Sequence, residues 1–338
     1  MSRAQLTSTV EQNTGGAVAP YVAGKNAVIN GGFDIWQRGT TSTSNGYTTA
    51  DRWSLYNLGG GTTTWSREST IVPSTSTYSL KMSQATAAGL LIVQQAIETL
   101  NTRQFAGKTI AFSMQAAASA STDLILQVSY STTVDNAVGG TWTIITPTSG
   151  GTGTVSTTAS FTRLSGVYAI PSTAQSILVK AYSLSVAAGT SLYFGEMQFE
   201  LGSVPTVFTR AGGTFQGELT ACQRYYYRQS PSVSSTSANR FFGNGIALST
   251  TAAAISIPLP VQMRTTPSST IEYGGTIGVT DGVTPTSTTG ISSITSYITP
   301  NVAIVQAVVA SGLTQYRPYF LIANNDLYTA YLGFSAEL

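Results

Sequence analysis

Apolar and polar residues alternate along segment after segment of this chain, and that period of two constrains its fold more than any other feature. A strand sends successive side chains to opposite faces, so sheets are the economical way to bury an apolar set spaced in this way. Ser191 to Leu201 shows the pattern best. Tyr193, Gly195, Met197, Phe199 and Leu201 are expected on one face, with Leu192, Phe194, Glu196, Gln198 and Glu200 on the other. Leu124, Leu126, Val128 and Tyr130 line a second such face with Ile125 behind it, and Ile110, Phe112 and Met114 a third. Arg52–Leu58, Thr62–Glu68, Tyr78–Gln84, Leu90–Glu98, Phe161–Ile170 and Ile177–Leu184 add further strands between Gly, Pro, Ser and Thr turns. Roughly ten to twelve short strands with almost no helical pattern predict an all-β protein, a β-sandwich of the jelly-roll kind.

One segment departs from this rule. Leu219, Cys222 and Tyr226 recur at helical spacing, which predicts a short helix over about Phe215 to Tyr226. It follows the turn-rich stretch GSVPTVFTRAGG, where a domain boundary is expected. The expected organisation is an N-terminal docking arm over residues 1–25, a jelly-roll domain over 26–213, and a smaller β-rich domain with one short helix over 214–338. Val18, Tyr21 and Val22 are the arm's apolar anchors for docking to another subunit.

Composition narrows the function. Only 9% of the 338 residues are charged, against a typical quarter, and Ser, Thr and Gly take their place. Low charge points to surface covered by neighbouring copies. The net charge of +2 comes without any run of Lys or Arg, which argues against nucleic acid. There is no histidine and one cysteine, Cys222, so Ser-His and Cys-His catalysis, a Cys-x-x-Cys metal site and an intrachain disulfide are excluded. No metal or cofactor site is expected. No apolar run reaches the length of a membrane span, and the N-terminus lacks the apolar core of a signal peptide, so synthesis in a cytoplasm without membrane insertion is expected.

Asn26 to Trp53 concentrates two of the four tryptophans and four charges. Asp34, Arg38, Asp51 and Arg52 are expected to form a charge-assisted clamp across the Thr/Ser loop that follows Gly39. Sugar rings stack on aromatic faces, which makes Trp65 and Trp142, in Thr- and Gly-rich surroundings, and then Trp36, candidates for glycan stacking. Trp53 fits the core better. Tyr225, Tyr226, Tyr227 and Arg228 are candidates for a subunit contact, since Tyr and Arg are enriched in interface hot spots. Glycan cleavage would need two carboxylates about 5–9.5 Å apart. Glu196 and Glu200, four residues apart on a strand, are separated by roughly 13 Å, so no enzyme is expected.

Several phrases resemble one family. NAVINGGFDIWQRG with GYTTADRW is similar to the opening module of bacteriophage appendage and fibre proteins, where a related phrase starts a jelly roll. FAGKT resembles a step within those jelly rolls and within related carbohydrate-binding modules, and GEMQFELGSVPTVFTR resembles the strand that closes them. GELTACQRYYYR, PVQMRTTP and the final SAEL are similar to the segments that follow in the same proteins. The resemblance implies a structural component of the phage particle. It would be made in the host cytoplasm, assembled as a homotrimer and joined to other virion proteins through the N-terminal arm. A tail or head fibre presenting a surface to host polysaccharide is the expected role. A capsid decoration protein that binds no sugar is the alternative, and a glycan depolymerase stands behind both.

Overall fold

The computed structural model describes residues 24–230, 239–268, 270–294, 298–324 and 329–338. Val18, Tyr21 and Val22 lie outside the described residues. The described chain divides into two compact units, one running through Ala221 and taking in Leu338, the other from Cys222 to Glu337.

The first unit opens with β1 (Thr41–Ser42), β2 (Ser54–Asn57), β3 (Thr63–Glu68), β4 (Ser79–Gln84) and β5 (Gly89–Ile97). A single-turn helix, α1 (Thr99–Thr102), then precedes β6 (Thr109–Ala118), β7 (Thr122–Ser131), β8 (Thr143–Ile145) and β9 (Ser149–Gly150). The unit closes with β10 (Thr152–Val155), β11 (Thr162–Ala169), β12 (Ser176–Val186) and β13 (Ser191–Leu201). One sheet runs in the order β1-β3-β4-β13-β6-β11-β9 and the other β10-β7-β12-β5-β2, with β8 also paired to β7. The pairings β4 with β13, β5 with β12, β6 with β11 and β7 with β10 are all antiparallel. The chain is thus one long hairpin rolled over itself, its successive pairs falling alternately in the two sheets, which is the topology of a jelly roll. Leu91, Val93, Phe112, Met114, Leu126, Val179 and Phe194 are among the inward residues that fill the space between the sheets.

The alternation expected in Ser191–Leu201 fails at one point, and the reason is local. Glu196 adopts a left-handed conformation (φ 52°), and pairing with β6 shifts between Gly195 and Gln198. This β-bulge inserts one residue and swaps the faces beyond it. Leu192 and Phe194 therefore share the core with Met197 and Phe199, while Gln198 and Glu200 turn away from it. Glu196, at the bulge, accepts hydrogen bonds from the hydroxyls of Thr75 and Ser76.

The motif phrases hold one another. Asn26 donates to the carbonyls of Met197 (2.9 Å) and Thr209 (3.0 Å), and its Oδ1 accepts the N–H of Phe199 (3.0 Å). The NAVINGG phrase is stitched in this way to GEMQFELGSVPTVFTR. Gly31 passes so close to the Met197 carbonyl that a Cβ there would collide with it. Phe105, from FAGKT, packs edge-on against Phe199 at 5.0 Å between ring centroids.

Helix α2 (Phe215–Gln223) begins where the sequence places it but ends three residues early, so Tyr226 belongs to a strand. Its Glu218 is buried, and the carboxylate accepts the backbone N–H groups of Asn30 and of Gly212 (2.7 Å). Burial pushes the Glu218 carboxyl above the ordinary glutamate range, against the opposing pull of those two N–H groups.

The second unit contains β14 (Tyr226–Gln229), β15 (Asn239–Ala247), β16 (Ala252–Pro258), β17 (Glu272–Gly274) and β18 (Ile277–Thr280). It ends with β19 (Pro285–Ser293), β20 (Val302–Val309), β21 (Pro318–Asn324) and β22 (Tyr331–Ser335). Six of these close into a barrel in the order β15-β16-β20-β19-β18-β21, and β14-β22-β17 forms a separate sheet. In β20 the alternation is kept throughout, with Ala303, Val305, Ala307 and Val309 buried. Three further motifs meet here. Arg264 donates to the carbonyls of Ala336 (2.9 Å) and Glu337 (3.1 Å), its own N–H reaches the Arg224 carbonyl (2.7 Å), and the Ala336 N–H reaches that of Tyr225 (2.7 Å).

Candidate functional site

The tryptophans divide into buried and half-buried. Trp65 is wholly buried in the core, its Nε1–H donating to the Ser44 carbonyl at 3.1 Å, so it offers no face to a sugar. The expectation that it stacks on a glycan is corrected: Thr64 and Ser66 carry the polar character of β3 outward, and Trp65 fills the inner parity between them. Trp53 is also buried, stacked on Phe33 with centroids 5.3 Å apart. Trp36 is half-buried against the core with its Nε1–H on the Phe33 carbonyl, and Trp142, also half-buried, donates to the Ala137 carbonyl at 3.1 Å.

The four clamp residues have these partners. Asp34 pairs with Arg210 at 2.7 Å, joining NGGFD to the VFTR phrase far along the chain. Asp51 is buried and accepts the Gln37 backbone N–H (2.9 Å) and its side-chain amide. Buried Arg52, at φ 70°, donates to the Ala96 carbonyl at 2.8 Å, and Arg38 lies 5.7 Å from the Tyr47 ring centroid. The hub of the segment is an uncharged residue the sequence did not single out. Asn30 donates to the carbonyls of Ile35 (2.9 Å) and Asp51 (3.0 Å), accepts the Ile35 N–H (3.0 Å), and receives the Trp53 Nε1–H on its own carbonyl (2.9 Å).

The Tyr-rich run points inward. Tyr225 and Tyr226 are each 1% exposed, which removes both from any subunit-contact surface. Tyr226 donates its hydroxyl to Glu272 (2.8 Å). Tyr227 is half-buried and stacked on Phe334, and Arg228 lies over the Tyr331 ring at 3.7 Å. Pairing of β14 with β22 buries this run, a contact that local sequence does not reveal.

The surface best built for a ligand is the outer face of the second sheet. On β2, β5, β12 and β7 the odd positions Leu55, Leu91, Val93, Val179 and Ala181, with the even positions Leu124 and Leu126 of β7, enter the core. The opposite parity lies on the sheet's outer surface, part of which is itself covered: Ser54, Gln94, Ala96, Leu178 and Ser129 are buried, whereas Lys180 and Gln127 are half-buried. Strand register aligns Tyr56 with Ile92, Ile92 with Tyr182, and Tyr182 with Ile125. The neighbouring row aligns Ser54, Gln94, Lys180 and Gln127 in the same way. An aromatic and apolar row therefore lies beside a row of amide, ammonium and hydroxyl groups. Three inter-strand spacings make each row about 14 Å long.

Tyr56, Ile92, Tyr182 and Ile125 are all half-buried. Neither tyrosine ring has an aromatic or cationic partner among the described residues. Tyr193, on the outer face of the other sheet, is by contrast already covered by Lys81. Lys180 has no ion pair or hydrogen bond among the described residues, and burial holds its ammonium below the ordinary lysine pKa. The Ser54 hydroxyl is buried without a partner. A concavity of 380 Å³ lies on the outer face of the first sheet between Ile71–Ser74 and Thr158–Phe161, over Gln115. Among the described residues, no group of three or more His, Cys, Asp or Glu side chains is placed to hold a metal ion.

Fold and site together define a jelly-roll β-sandwich with a half-buried aromatic-polar sheet face, followed by a small β-barrel. No family model and no curated protein matches the chain. Among solved structures it is similar to a putative sugar binding protein from Bacteroides thetaiotaomicron, at 14% identity and a TM-score of 0.38 over 52% of this chain and 100% of that one. It is also similar to the enzymatically active domain of tailspike protein 4 of bacteriophage CBA120, at 16% identity and a TM-score of 0.37, over 55% of this chain and 22% of that one. A third similarity is to the CBM22-1 xylan-binding domain of Paenibacillus barcinonensis Xyn10C, at 15% identity and a TM-score of 0.34 over 54% of this chain and 98% of that one.

Proposed function

We propose that the chain is a non-catalytic component of a phage appendage whose jelly roll binds polysaccharide on the outer face of its second sheet. The observation that carries the binding reading is the register of that face. Tyr56 and Tyr182 flank Ile92 in one row, where apolar sugar faces stack, and the half-buried Lys180 and Gln127 follow in the next, where hydroxyls are met. The virion role rests on the motif phrases of the sequence. Assembly as a homotrimer and attachment through the N-terminal segment belong to the same proposal. In the second unit, the exposed rings of Phe241 and Phe320, beside a 330 Å³ groove, supply apolar surface for burial between copies. A decoration protein without sugar binding is the competing reading.

Both tyrosines point away from the core, so truncating them should leave the fold intact. Tyr56→Ala and Tyr182→Ala are each expected to weaken retention on a bound polysaccharide about tenfold, in affinity electrophoresis or calorimetry. Their far-UV circular dichroism should match the parent protein. Full retention by the double variant would overturn the assignment of the face.

A further inference from the structure

Resting on that reading of the sheet face, we infer that its ligand is an acidic glycan, a uronate-containing polymer whose carboxylate is met by the Lys180 ammonium. Lys180 stands in the middle of the polar row, aligned with Gln94 on one side and Gln127 on the other, with Tyr182 two residues along its own strand. A sugar ring stacked on Tyr182 thus carries its substituents over a cation with the half-buried Gln127 amide beside it. Among the described residues no carboxylate forms an ion pair with Lys180. The one acidic residue on the exposed part of β7, Asp123, lies four residues from Gln127, roughly 13 Å away, and accepts the Thr154 hydroxyl at 2.5 Å.

A lone ammonium held partly out of water is an unfavourable arrangement for the free protein, and desolvation alone depresses its pKa, with no neighbouring charge contributing. A ligand carboxylate removes that penalty and forms a charge-assisted hydrogen bond with the ammonium, whereas a neutral sugar hydroxyl supplies a weaker one. The half-buried Gln127 amide serves either ligand, so discrimination between acid and neutral polymers is concentrated in the Lys180 side chain. Arg at this position would present a planar fork; Lys presents a point charge, suited to a carboxylate that approaches at several angles along a polymer.

The test uses the full chain and matched polymers. Polygalacturonate, alginate and hyaluronan are each compared with their carboxyl-reduced forms, and xylan and galactan serve as neutral controls, by affinity electrophoresis and calorimetry. The expected result is binding to at least one polyuronate, weakened about tenfold by carboxyl reduction and lowered further by raised salt. Lys180→Gln should bring the acid and reduced forms to the same affinity, whereas Tyr182→Ala should lower both. Equal binding of acid and reduced forms, or binding confined to neutral polymers, overturns the acidic assignment. If Tyr182→Ala abolishes that neutral binding, the sheet-face reading survives it. Binding to none of the polymers, charged or neutral, overturns both.

Discussion

Asn30→Ala is expected to cost the first unit about 4 kcal/mol and to lower its Tm by about 12 °C in a calorimetric scan. Asn30 is fully buried, and its side chain satisfies two carbonyls and one N–H of the turn that carries Ile35 and Asp51. Alanine removes all three hydrogen bonds, of which only the one to the Ile35 carbonyl is backed by a second donor, the Asp51 N–H at 3.1 Å. It also forces a Cβ residue to hold φ 59°, a conformation that Asn tolerates better than other non-glycine residues. Asn30→Gly separates the two effects. Glycine adopts the left-handed backbone freely but makes no side-chain hydrogen bond, so it should recover about 1 kcal/mol of the loss and no more. A Tm for Asn30→Ala within two or three degrees of the parent would show that the hub carries little of the fold.

Trp65→Ala is expected to be about as damaging, near 4 kcal/mol, because it empties a large volume from a packed core. Trp65 is wholly buried between the sheets, and its indole N–H is satisfied by the Ser44 carbonyl. Loss of the ring leaves a cavity beside Met82, its cross-strand partner in β4, and strands that carry their own ladder bonds close around it only in part. This outcome also separates the two readings of the residue. A sugar-stacking tryptophan would lose binding at unchanged Tm; the core tryptophan seen here loses Tm, and at temperatures where the fold persists the variant keeps its affinity.

These two residues show what the sequence discloses and what it withholds. Strands were legible wherever a hydrophobic parity ran unbroken, as in Thr63–Glu68, Thr162–Ala169 and Val302–Val309. Beyond Glu196 sequence parity and structure diverge, because a bulge is set by one backbone conformation and leaves no mark in the alternation. Ser and Thr neighbours make Trp65 look like a surface residue in the sequence, although in a half-buried strand polar neighbours are what an inward tryptophan should have. The sequence identified a β-rich second domain but not its closure into a barrel, since closure depends on β15 meeting β21 across the whole length of the unit.

The motif phrases were legible as units without disclosing what they do. In the structure they prove to be joints: Asn26 with Phe199, Asp34 with Arg210, Arg264 with Ala336 and Glu337. The proposed binding face is the least visible of these features in the sequence. Tyr56, Gln94, Gln127, Lys180 and Tyr182 are scattered across four strands and are ordinary in their local context. Only strand register aligns them, and register between distant strands is a property of the closed sandwich. The signal present in the sequence was parity, since each of these residues lies opposite a core position of its own strand.

Hydroxyl-radical footprinting with and without saturating polysaccharide tests the central claim most directly, because it reads side-chain exposure on both outer faces at once. Protection of Tyr56, Ile92 and Tyr182, with Phe161 and Val72 of the opposite cleft unchanged, is the expected result. Protection of Phe161 and Val72, with Tyr56 and Tyr182 still oxidised at the rate of the free protein, would contradict it.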